Sequence, residues 1–91
     1  MDVPTNVSAR LKAAQAIQWG VLVDAYLTNA AAVGEVYAAS LYHDHSHRIE
    51  DGTTVVTPPV QTVRREHGFT LLRSLCGTDH YVLVTEFNGA T

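Results

Sequence analysis

The densest chemistry in this sequence is His43-x-His45-x-His47, a run of imidazoles with Asp44 inside it and Glu50 close behind. On an extended strand, alternate residues share a face and sit about 6.5–7 Å apart. Two imidazoles so placed can share one metal ion, and Asp44, Glu50, His67 or His80 could complete the set. Nitrogen and oxygen ligands without thiolate suit zinc, nickel or copper. A solvated polar loop ahead of the Asp51-Gly52 turn accounts for the same residues with no ligand at all. The sequence reading is therefore no cofactor, with a metal ion on His43, His45 and His47 as the alternative.

Cys76 with His67 or His80 is the only pairing that could make a nucleophile and its base. Neither an orienting third residue nor an oxyanion-hole motif accompanies it, so the expectation is a protein that is not an enzyme. A single cysteine also excludes an internal disulfide and a thiolate zinc cage.

The chain has 91 residues, enough for one domain spanning 1–91. Apolar residues make up 46% and charged ones 16%. That charged share is below the roughly 25% usual in soluble domains, so apolar surface is left over for a partner or for self-association. The formal charge is −3, and only Arg64–Arg65 are adjacent basic residues, which disfavours direct nucleic-acid binding. The most apolar stretch, Trp19 to Leu27, is broken by Asp24 and too short for a bilayer. The expected setting is cytoplasmic, away from any membrane.

The elements that must position these residues follow from hydrophobic period. At 100° per residue, Val7, Leu11, Ala14, Ile17, Val21, Leu22 and Ala25 share one arc, predicting a helix over 7–28 capped by Asn6 or Ser8. The Ala30-Ala31-Ala32 run could extend it, so its end falls between Thr28 and Val33. Its second half is apolar on nearly every side, which implies burial on more than one face. From Gly34 the period becomes two, with Val36, Ala38, Ser40 and Tyr42 on one face and Tyr37, Ala39 and Leu41 on the other. Strands are predicted at Thr53–Thr57, Val60–Arg65, Phe69–Leu75 and His80–Phe87, punctuated by Pro58-Pro59, Glu66-His67-Gly68 and Cys76–Asp79. The expected fold class is α+β: an N-terminal helix packed on a four- to five-stranded antiparallel meander over 34–87, with an SH3-like roll as one form of it.

Gly34-Glu35-Val36-Tyr37, the stretch Ile49–Thr57, Val60, Tyr81-Val82-Leu83 and Trp19-Gly20 together resemble a group of small uncharacterised bacteriophage and prophage proteins. That group pairs a Trp-Gly helix with a Gly-x-x-Tyr strand, an Asp-Gly-x-x-Val-x-Thr hairpin and a closing Tyr-x-Leu strand. The sequence departs from it at Pro58, where Ser is usual, in Leu72–Asp79, and in its histidine run. The resemblance implies an accessory protein of a mobile element that binds and inhibits or redirects a host protein, as anti-CRISPR and other anti-defence proteins do. It carries no catalytic residues with it. The residues expected to meet a partner, or a second copy in a homodimer, are Trp19, Val23, Tyr26, Tyr42, His43, His45 and His47.

Overall fold

A computed structural model describes residues 3–87, which form one helix and a six-stranded mixed sheet. The helix, α1, runs Val3–Gln15. The strands are β1 Ala25–Val33, β2 Val36–Tyr42, β3 Thr53–Val56, β4 Val60–Glu66, β5 Phe69–Ser74 and β6 His80–Leu83. The protein is nearly all β, which overturns the expected α+β class, the long helix and the four- to five-stranded antiparallel meander.

The helix ends where its sequence stops supporting it. The N–H groups of Ala16 and Ile17 close the last turn onto Lys12 and Ala14, and the Trp19 indole N–H donates to the Ala14 carbonyl at 3.1 Å. That gives the Ala14 carbonyl, at the helix end, a second donor beside the Ile17 N–H and ties the indole to the end of α1. Gly20 then takes φ +81°, and the chain leaves α1 for good. The apolar stretch after it was expected to be a helix buried on several sides. It is a connection leading into a strand buried on both faces, and a short apolar run fits either description by pattern alone. The aromatic and β-branched residues Tyr26 and Thr28 favour the strand. The alanines after Asn29 belong to β1, and Asn29 itself (φ +54°) sits where the β1–β2 register slips between Thr28 and Ala31.

The strand order is β3-β2-β1-β6-β5-β4. Two antiparallel meanders, β1–β2–β3 and β4–β5–β6, join through a parallel pairing of β1 with β6 at the centre (Ala25↔Tyr81, Tyr26↔Val82, Leu27↔Leu83). That pairing is the element an antiparallel meander could not supply. The two edge strands, β3 and β4, are nevertheless consecutive in the chain. In a flat sheet they would lie five spacings apart, roughly 24 Å. The four steps from Val56 to Val60 span at most about 14 Å. The sheet must therefore curl until its edges approach at one end. There the Thr57 N–H donates to the Tyr37 carbonyl and the Val60 N–H to the Glu35 carbonyl, both at 2.9 Å.

Curling divides the core in two. On one face Leu27, Ala30, Ala39, Val60, Leu72 and Leu83 pack with Tyr37, Val55 and Tyr81, so every strand contributes. On the other, Leu71, Val82, Val84 and Phe69 meet Leu11 and Ala14 of α1 and the Trp19 ring. Leu27, Leu71 and Val82 are almost wholly sealed from solvent. The turn between β4 and β5 is a two-residue hairpin in which His67 and Gly68 both have positive φ (+54° and +86°), the backbone a tight antiparallel connection needs.

Candidate functional site

The histidine run is not a strand. β2 stops at Tyr42, and both His43 (φ +57°) and His47 (φ +61°) take the left-handed conformation, so alternation no longer places their side chains on one face. Carboxylates organise the loop instead. The Asp44 Oδ2 accepts from the Ser46 hydroxyl at 2.7 Å and from the Arg48 and Ile49 N–H groups at 2.9 and 3.0 Å. The Ser46 hydroxyl foremost, with those backbone donors, holds the Asp44 carboxyl below its ordinary range. The Asp51 Oδ1 accepts from the His43 N–H at 2.8 Å, and the His45 N–H donates to the Asp24 carbonyl at 2.8 Å.

Three of the expected partner residues do come together. The His43 ring meets the Tyr26 ring edge-on at 6.1 Å between centroids, and Tyr42 lies 6.4 Å away. Tyr26 and Tyr42 are half-buried, and burial raises the Tyr26 phenol. Val23 is half-buried against the helix-side core, and Trp19 lies within that core at 3% exposure. His45 and His47 are exposed on the loop. Among the described residues, no three His, Cys, Asp or Glu side chains gather around a point where a metal ion could sit.

Cys76 occupies the exposed turn between β5 and β6. Its Sγ lies 3.4 Å from the Ser74 hydroxyl and 3.2 Å from that of Thr78. The Ser74 Oγ accepts the Asp79 N–H, which leaves its own proton to point at the sulfur. Led by Ser74, these donors lower the thiol to about 7. Its side-chain partners are hydroxyls rather than imidazoles, and His67 lies beyond the far end of β5.

A feature that single-residue reading passed over lies on β1, β2 and β3. Cross-strand pairs Val33↔Val36 and Ala31↔Ala38↔Val56 place these side chains in two adjacent rows on one face. Val33 and Val56 are 65% and 67% exposed. On this face α1 lies toward the Tyr42 end, where Leu11, Thr28 and Tyr42 line a common hollow. At the Val33–Val56 end the strand residues are uncharged, and Glu35 in the β1–β2 turn is the charge beside them. Among the described residues, the strand at the margin, β3, has a neighbour on one side only, and it is uncharged throughout.

The other edge is treated differently. β4 carries Arg64, Arg65 and Glu66, and the connection after α1 lies against it. The Arg64 guanidinium donates to the Gln18 carbonyl at 3.3 Å, pairs with Glu66 at 3.1 Å and lies over the Trp19 ring at 5.4 Å. Charge and cover are the usual protections of a sheet edge; β3 carries no charge, and no described residue pairs with its outer edge. A sequence signal existed: 25–34, 36–42 and 53–63 hold no charged residue.

No family model, curated protein or solved structure matches this chain. No helix among the described residues is long and apolar enough to cross a membrane.

Proposed function

We propose that this domain acts by binding a protein partner along β3 and the apolar face beside it. The observation that carries the reading is the uncharged, singly paired edge of β3 next to exposed Val33 and Val56. An edge strand presents a row of unpaired N–H and C=O groups, and an extended segment of another protein can add to it as one more strand. Backbone hydrogen bonds then supply affinity, while Val56, with Ala38 beside it, receives the segment's apolar side chains. Pro58-Pro59 ends the edge and sets the register of whatever docks. The similarity to small phage and prophage proteins would make that partner a host protein in the host cytoplasm, inhibited or redirected by the contact.

Affinity capture from a bacterial lysate with the wild-type domain and with Val56→Lys tests this. One host protein should be retained by the wild type and lost with the variant, whose circular dichroism should match the wild type. Equal retention by both would place binding elsewhere, and light scattering at a dimer mass would make the occupant of β3 a second copy.

A further inference from the structure

A second surface, separate from β3, gathers cations. At the β4–β5 hairpin a hollow of about 360 Å³ is bordered by Arg10 of α1, Arg65 of β4, Gly68, Thr70 of β5, Thr85 and Glu86. Arg65, Thr70 and Leu83 are cross-strand partners in one row, which puts Arg65 on the sheet face opposite α1. Arg10 comes from the helix side. Its guanidinium lies over the Phe69 ring at 4.8 Å and donates to the Val84 carbonyl at 3.2 Å, so its position is set by packing.

Arg10 and Arg65 thus border the hollow from opposite faces, and no carboxylate among the described residues lies within ion-pair distance of either. Arg64, the residue next to Arg65, does have such a partner in Glu66. Glu86 lines the hollow without neutralising both arginines, so a net positive pocket persists on a chain whose formal charge is −3. The Thr85 Oγ1 accepts the Asn29 N–H at 2.8 Å and keeps its own proton to donate. The hollow is thus bordered by two planar forks, the groups that recognise carboxylate and phosphate oxygens.

We infer that this hollow is a binding site for a small oxyanion, a phosphate or carboxylate group, held between Arg10 and Arg65. The test is a two-dimensional amide NMR titration of the whole chain with inorganic phosphate and, separately, with acetate, at ionic strength held constant with sodium chloride. Saturable shifts should centre on Gly68, Thr70 and Thr85. Arg65→Gln, at an exposed position, should weaken binding at least tenfold, Glu86→Gln should tighten it, and Arg73→Gln, outside the hollow, should leave it unchanged. Preference for phosphate or for acetate would tell a tetrahedral ligand from a planar one. Shifts that rise linearly without saturating for both ions, or an affinity unchanged in Arg65→Gln with a folded spectrum, would overturn the assignment.

Discussion

Asp24 and His80 hold each other twice. The His80 N–H donates to the Asp24 Oδ2 at 2.8 Å, and the Asp24 N–H donates to the His80 carbonyl at 2.8 Å. The pair sits just before the parallel β1–β6 ladder, the seam that joins the two meanders. The Asp24 carbonyl also accepts the His45 N–H, so this one residue ties β6 and the histidine loop to the entry of β1.

Asp24→Ala leaves the half-buried His80 N–H without its carboxylate, and a lost bond to a partly buried donor costs about 1–3 kcal/mol. The urea midpoint should fall accordingly. Asp24→Asn keeps an acceptor oxygen and should lose less. Amide exchange at Tyr81 and Val82 should speed up in Asp24→Ala, because those residues pair with β1 next to the lost contact. Unchanged exchange there would mean the seam is held by the ladder alone.

Gly20 offers a test by sign. In a continuous helix over 7–28, Gly20→Ala would stabilise by about 1 kcal/mol. At φ +81° a Cβ is disfavoured by roughly 1–2 kcal/mol even where space is free, and nothing lies within 4 Å of the position. Chemical denaturation should therefore show Gly20→Ala to be the less stable protein. A more stable variant would restore the helix.

Alkylation of Cys76 by iodoacetamide should follow a titration centred near pH 7, since the folded-state thiol is lowered to about 7 by hydroxyl donors. Ser74→Ala and Thr78→Val should move the midpoint up toward the ordinary thiol near 8.5. A thiol easier to ionise when folded adds stability that is fully present above the unfolded value, and that gain is lost as pH falls through about 7. A midpoint unmoved by both substitutions would remove the hydroxyls as the cause.

Local order was legible where one residue type had one solution. The two-fold alternation from Val36 to Tyr42, the His67-Gly68 hairpin and the break at Pro58-Pro59 all stand as expected, because sheet periodicity and turn backbone are decided within a few residues. The stretch Trp19–Leu27 was not, since apolar residues on every side describe a buried helix and a buried strand equally. The residues expected at a partner surface did not stay together. Tyr26, Tyr42 and His43 meet, whereas Trp19 went inside to pair its indole with the end of α1.

By itself, then, the sequence determined a small chain with few charges and one cysteine, a run of short strands after Gly34, and three uncharged stretches that would have to find cover or a partner. Tertiary structure alone decided the rest. Whether Ala25–Val33 is helix or strand depended on the distant segment Tyr81–Leu83 being there to pair with it. Three residues between β3 and β4 forced the sheet to curl. The Gln18–Trp19 connection came to lie against Arg64 of one edge strand, while among the described residues no strand pairs with the outer side of the other. Long-range backbone pairing fixes such choices, and it leaves no local pattern in the residues that take part.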